Sequence, residues 1–341
     1  MNTQPKIRFA AIGLNHGHIY GQTNFMLNAG AELVAFYAKE PDLAARYGQV
    51  YPQAALVDDP RRILEDPSIQ LVISAAIPSE RAPLGVQVMQ HGKDFMSDKG
   101  GPTTFEQLAE IRRVQKETGR IYSICFSERF ETGATVKAGE LVKTGVIGKV
   151  IQTVGMGPHQ IGLHTRPDWF FRRATYGGIL IDIASHQFDQ FLYFTGSTQA
   201  EITGAHVANY HYPQYPEFED FGDVMLRGDG GTGYIRVDWF TPNGLGVWGD
   251  GRLFILGTEG YIEARKYIDV AGRPGKNHLF LVTREKTEYI DCSNVELPYG
   301  RQLVYDILNR TETAMPQEHC FLAAELALRA EAAAVRLGNL Q

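Results

Sequence analysis

Apolar positions follow two regimes along the chain. Through residue 125, short apolar runs alternate with segments of helical spacing. Strands are expected at Ile7–Leu14, Ala31–Ala38, Ala54–Val57, Leu71–Ile77, Asp94–Ser97 and Ile121–Phe126. Helices are expected up to Ala29, over Pro41–Tyr51, around Arg61–Leu64, over Pro83–Gln90 and over Phe105–Thr118. Leu71–Ile77 is an unbroken apolar run, the mark of a strand buried on both faces of a parallel sheet. This regular alternation predicts an α/β, Rossmann-type doubly wound parallel sheet over residues 1–125.

Past Val150 the pattern changes. One apolar helix is expected from Gly178 to Phe194. Strands with period-two alternation follow: Glu201–Asn209, Asp223–Arg227, Thr232–Phe240, Arg252–Leu256, Tyr261–Arg265 and His278–Thr283. Gly257-Thr258-Glu259-Gly260 suits a hairpin connection. Helices around Arg301–Leu308 and Glu318–Leu337 close the chain. Residues 126–341 are therefore expected to form an α+β domain with a large, mostly antiparallel open sheet, the last helix free to pack back on the first domain.

Composition narrows the function. The 341 residues are 44% hydrophobic and 21% charged, enough for large cores and against disorder. A net charge of −6 excludes the basic face of a nucleic-acid binder. No apolar run approaches the roughly 20 residues that cross a bilayer, so no membrane partner is expected. The N-terminus lacks signal-peptide patterning, which makes a cytoplasmic location the expectation. Cys125, Cys292 and Cys320 are far apart and odd in number, as expected of small core residues in a reducing compartment.

Three segments carry candidate chemistry. Ala11-Ile12-Gly13-Leu14-Asn15-His16-Gly17-His18 follows the first strand and opens a helix, where a dinucleotide's pyrophosphate sits in such folds. Lys39 and Glu40, after the second strand, offer a cation for a 2′-phosphate or a carboxylate for a free ribose, so NAD and NADP both stay open. Ser97-Asp98-Lys99-Gly100-Gly101 lies at the carboxyl end of the fifth strand, where open α/β sheets bind ligands. In the third segment, Asp182, His186 and Asp189 fall on one helix face among isoleucine, leucine and phenylalanine. A stripe facing water explains this spacing as well as a stripe facing a cleft, where an imidazole would serve as acid or base beside a carboxylate. A metal site using these residues with His159 or His164 lacks any supporting signature, and no metal is expected.

In this order, the glycine turn, Asp98-Lys99 and the Gly177-Gly178…Asp182…His186…Asp189 segment resemble the Gfo/Idh/MocA oxidoreductase family, which includes inositol dehydrogenases and glucose–fructose oxidoreductase. The resemblance implies NAD or NADP as cofactor, a sugar or polyol substrate, and a homo-oligomer, dimer or tetramer, built through the open sheet. It carries the family's catalytic lysine to Lys99 and its helix aspartate and histidine to Asp182 and His186. The cofactor set then comprises Gly13, Asn15, His16, Gly17, His18, Lys39, Pro78, Asp98, Lys99 and Arg129. His159, Arg166 and Trp169 are expected to line the sugar pocket with Asp182 and His186. Two departures stand out: Gly100 replaces the family's proline, and Asn15 its second glycine. The expected reaction is hydride transfer between the nicotinamide and a secondary hydroxyl. Two alternatives are a redox-assisted glycoside hydrolase or lyase using bound NAD, and a non-catalytic sugar or cofactor sensor.

Overall fold

The structure, a computed structural model, describes residues 6–338. The chain forms two compact units: Met1–Cys125 with Pro298–Phe321, and Phe126–Leu297 with Leu322–Gln341.

The first unit is built on a six-stranded sheet of β1 (Arg8–Ile12), β2 (Glu32–Tyr37), β3 (Ala55–Leu56), β4 (Leu71–Ser74), β5 (Asp94–Asp98) and β6 (Tyr122–Cys125). Its order is β3-β2-β1-β4-β5-β6 and every pairing is parallel. The order reverses at β1 and β4, whose carboxyl ends flank the crevice where such sheets take ligands. Every residue of β4 is buried, as its apolar run predicts.

Two features of this unit differ from expectation. The helix after β4 begins at Pro78, five residues earlier than the pattern suggested, and carries Pro83 inside it. Pro78 suits the first helical turn, where its missing N–H is no loss. Pro83 frees the carbonyl of Ser79, and Gln107 Nε2 donates to that oxygen at 3.0 Å. The second feature is the return of Pro298–Phe321 to this unit, which breaks the continuity expected over 126–341. Its helix Tyr299–Asn309 bonds Ser123 through the Tyr299 hydroxyl at 2.5 Å. Arg310 pairs with buried Asp94 at 2.7 and 2.8 Å, and the Gln317 amide bonds both backbone groups of Tyr122.

The second unit holds a nine-stranded sheet: β7 (Val150–Pro158), β8 (Ala200–Asn209), β9 (Phe221–Gly228), β10 (Thr232–Asp238), β11 (Arg252–Gly257), β12 (Gly260–Arg265), β13 (His278–Thr283), β14 (Thr287–Asp291) and β15 (Val335–Gly338). Its order is β14-β13-β12-β11-β7-β10-β9-β8-β15, mostly antiparallel, with β7–β10 and β8–β15 parallel. Gly257–Gly260 makes the expected hairpin, with Leu256 opposite Tyr261. One face packs against the helix Ser185–Thr195.

Three corrections arise here. The central strand β7 was not foreseen, because its run is diluted by glycine. The last helix stops at Ala333, and Val335–Gly338, expected to be helical, pairs with β8 instead. The helix expected over Gly178–Phe194 is two pieces, Ile179–Asp182 and Ser185–Thr195. At the break the Ala184 N–H reaches back to Ile179 O at 3.4 Å and the His186 N–H to Ile183 O at 3.2 Å, so one helical register gives way to another.

Candidate active site

In the first unit, Gly13 follows β1 with φ +79°, and its N–H donates to Tyr37 O. An added Cβ would lie 2.5 Å from Ala76 Cβ, so only glycine lets this loop lie against the end of β4. Gly13→Ala is expected to destabilise the protein by about 1–3 kcal/mol through overpacking and to weaken dinucleotide binding. Urea unfolding and nucleotide titration check both effects.

The following helix, His18–Asn28, starts at Gly17, which has no side chain to cap it, and the His18 N–H donates to His16 Nδ1 at 3.3 Å. The Ile19 N–H donates to His16 O at 3.2 Å and the Tyr20 N–H to Gly17 O at 3.3 Å, so what the loop offers a diphosphate is the positive end of the helix dipole, although Asn15 stands at the second glycine position. Asn15 Nδ2 donates to Glu40 Oε1 at 2.9 Å, which ties the loop to the end of β2. Lys39 pairs with Glu80 at 3.0 Å on the surface.

Under the loop lies a charge cluster that the sequence reading did not assemble. Asp98 is buried, with His18 Nδ1 at 2.9 Å, His16 Nδ1 at 3.3 Å and Arg81 Nη2 at 3.2 Å from its oxygens. Burial raises the Asp98 pKa, but His18, Arg81 and His16 outweigh it and hold the carboxyl well below its usual range. His16 is also pushed down, well below 6.5, by burial and by His18, which keeps its ring neutral. Ligand atoms of His16, His18 and Asp98 lie within 4.8 Å of one another. Arg81 already supplies the positive charge that a cation would bring, so the cluster reads as an ion-pair network. Arg81 is fully buried and also donates to Ala76 O at 2.7 Å and Lys99 O at 2.5 Å, pinning the chain after β4 and β5. Nothing in the sequence distinguished this arginine from a surface one.

Lys99 is buried, and its N–H donates to Asp98 Oδ1 at 2.8 Å. Gly100 and Gly101 follow at φ +86° and +66°. Proline cannot adopt those angles, so the departure at Gly100 marks a different exit from β5. Pro78 is the first residue of the helix that leaves β4.

In the second unit, Asp182 ends the short helix and His186 sits in the first turn of the longer one, both buried. Gly177 and Gly178 precede them at φ +90° and +118°. Two carboxylates seat this start: Glu219 accepts from the Ile179 N–H at 2.8 Å and Glu331 from the Leu180 N–H at 3.1 Å. Arg173 bonds both, with Glu331 at 2.5 Å. A Cβ on Gly178 would lie 2.3 Å from Glu331 Cδ, which explains the glycine. Burial first, and Glu219 second, push the Glu331 pKa from 4.5 up to about 8 against the pull of Arg173. The folded chain thus binds a proton here that the unfolded chain releases, and this contribution to stability, complete below pH 4.5, is lost as pH rises through about 8. Glu331→Gln is expected to flatten that decline, as urea unfolding across pH 5–9 would record.

Behind His186 lies a second network. Glu128 Oε2 accepts from Lys266 Nζ at 2.5 Å and Gln187 Nε2 at 2.9 Å, and Lys266 also donates to Gln190 Oε1 at 2.8 Å. Burial opposes the Glu128 charge, but Lys266, then His186 and His159, bring its pKa down to about 2. Glu128 and Lys266 were not assigned roles from the sequence. Arg129, expected to touch cofactor, instead spends Nε and Nη2 on Asp189, both at 2.6 Å. Asp189 is thereby a buried ion-pair partner within the fold.

His159 packs against Trp239 at 5.3 Å and Trp248 at 4.6 Å, and Trp248 against Tyr267 at 4.3 Å. Trp239 is buried, whereas Trp248 is 45% exposed. Arg166 lies over Phe170 and Trp239, and its charge interacts with Asp182. Trp169 meets the edge of Phe170 at 6.2 Å. An aromatic wall beside an imidazole, a carboxylate and a guanidinium is suited to a polyhydroxylated ring, apolar on its C–H face and polar at its rim.

Residues 135–263 match the GFO/IDH/MocA C-terminal domain. The scyllo-inositol 2-dehydrogenase (NAD(+)) of Bacillus subtilis (strain 168) is 28% identical over 268 residues, 75% of this chain and 73% of that protein. The crystal structure of a candidate oxidoreductase from Erwinia carotovora atroseptica SCRI1043 is 47% identical with a TM-score of 0.95, covering 98% of this chain and 100% of the other. The aldose-aldose oxidoreductase of Caulobacter crescentus, solved with glycerol, is 20% identical with a TM-score of 0.77 over 96% and 98% of the two chains, a likeness of fold.

Proposed function

The chain belongs to the Gfo/Idh/MocA oxidoreductase family, and on that premise we propose that His186 takes or returns the hydroxyl proton while a sugar or polyol is oxidised or its ketone reduced. The protein is an NAD(P)-dependent sugar or polyol dehydrogenase. Oxidation breaks the hydroxyl O–H and the carbinol C–H bonds and forms the carbonyl. The nicotinamide supplies the site that accepts the hydride, or donates it in reverse. Lys99 donates a hydrogen bond to the reacting oxygen, and Asp182 orients the imidazole and a neighbouring hydroxyl. Gly13, Asn15, His16, Gly17 and His18 hold the diphosphate, with Asp98 beneath them fixing both histidines.

Glu40 favours NAD over NADP. Its bond to Asn15 places a carboxylate at the end of β2, where it accepts a ribose hydroxyl and repels a 2′-phosphate. Lys39, the rival cation, is matched by Glu80.

The open face of the nine-stranded sheet supports self-association. Met225, Tyr234, Val154, Phe254, Glu263, Phe280 and Tyr289 stand in register across seven strands, and none of them is fully buried. A patch of this kind on a sheet marks an interface, here between copies in a cytoplasmic homo-oligomer. No described helix is long and apolar enough to cross a membrane.

The observation that carries the functional reading is the glycine-turned helix start at the switch point of the parallel sheet. The test is to denature the purified protein, identify any released nucleotide, and screen sugars and polyols with it for a change in nicotinamide absorbance. A net change with a polyol or sugar is expected. Product formation without net reduction would point to a hydrolase or lyase cycle, and tight nucleotide binding without turnover to a sensor.

A further inference from the structure

Arg166 is held in a way that a purely neutral substrate does not explain. Its Nε donates to Ile161 O at 2.8 Å. The faces of Phe170 and Trp239 meet the guanidinium carbon at 4.5 and 4.9 Å from their centroids. The two remaining nitrogens, Nη1 and Nη2, donate no hydrogen bond among the described residues, and no described carboxylate forms an ion pair with the group. Asp182 is the carboxylate whose charge it feels, and burial still pulls the guanidinium below its ordinary pKa.

Nearby charges are otherwise matched. Glu128 is neutralised by Lys266, and Arg129 by Asp189. A half-buried, desolvated cation without a partner is costly, and a ligand that brings the counter-charge recovers the cost. The geometry also limits which anion fits. With Phe170 and Trp239, 5.2 Å apart, packed against one side of it and Nε occupied, the guanidinium offers its Nη pair, a flat fork that matches a coplanar carboxylate.

We propose that Arg166 selects a sugar acid: the substrate carries a carboxylate, bound by the Arg166 Nη atoms, besides the hydroxyl that is oxidised. This rests on the dehydrogenase reading above and names the substrate class of the same site. No bond to the carboxylate is made or broken in the reaction.

Matched pairs test it: glucuronate against glucose and galacturonate against galactose, with glucose 6-phosphate as a phosphate probe. Turnover is followed by nicotinamide absorbance and binding by calorimetry on the nucleotide-loaded protein. The wild type is expected to favour the uronate of a pair by about 10- to 100-fold in kcat/KM, mostly through KM, as a charge-assisted bond would give. Arg166→Met should bring that ratio close to one, and Arg166→Lys should restore part of it. A merely structural arginine would lower both members of a pair alike. Equal use of neutral and acidic sugars, or a preference for the phosphate, overturns the sugar-acid assignment and leaves the dehydrogenase standing. Absence of binding by either uronate also overturns it. Uronate binding that depends on Arg166 but never reduces nucleotide would keep the assignment and remove the dehydrogenase.

Discussion

His186→Ala is expected to lower kcat by about 10²–10⁴-fold, the range for losing a positioned acid–base group. His186 is buried in the first turn of the helix Ser185–Thr195. Its position is set by the helix break at Ile183–Ala184 and by the Glu219–Glu331 pair that seats the preceding turn. Alanine is a good helix former, so the backbone should persist and the loss should be chemical. Dinucleotide affinity should remain near wild type, because the diphosphate loop belongs to the other unit. Steady-state turnover at several pH values and a nucleotide titration measure the two quantities. Turnover close to wild type would remove His186 from the reaction.

Lys266→Met is expected to cost about 3–5 kcal/mol of stability, as when one partner of a buried ion pair is removed. Lys266 is 0% and Glu128 2% exposed, and Lys266 is the foremost group opposing the burial penalty on Glu128. Without the ammonium, the carboxylate is left among Gln187, Gln190 and His186 with too little positive charge. The loss should shrink at low pH, where Glu128 takes up a proton. Adding Glu128→Gln to Lys266→Met should recover part of the stability, since the stranded charge is then gone. Urea unfolding of the two variants at neutral and acidic pH decides it. If the double variant is no more stable than Lys266→Met, the stranded charge is not the cause.

The candidate site was legible where chemistry is local in sequence. Gly13, Asp98-Lys99 and Asp182/His186 could be picked out because a turn, a strand end and a short helical spacing each place a side chain by local rules. The supporting charges were not legible. Arg81 and Asp98 are 17 positions apart, Glu128 and Lys266 138 apart, and Arg173 and Glu331 158 apart. No periodicity links such positions. Arg129 shows the same blindness from the other side: the family resemblance implied a cofactor contact, and nothing in the sequence announced its ion pair with Asp189, 60 positions away.

What the sequence determined by itself was the style of each half. A strand buried on both faces needs an unbroken apolar run, a strand buried on one face needs alternation, and both patterns are written residue by residue. That suffices for a parallel sheet in the first unit and a mainly antiparallel one in the second. Tertiary structure alone decided that Pro298–Phe321 returns to the first sheet, that Val335–Gly338 becomes a strand beside β8, and that the helix bearing Asp182 and His186 is broken between them. Each choice is set by partners distant in the chain: Asp94 and Tyr122 for the returning segment, the free edge of β8 for the terminal strand, and Glu219 with Glu331 for the start of the broken helix. Local propensities differ by only tenths of a kcal/mol per residue, so pairing and burial that stay invisible until the chain has folded outweigh them.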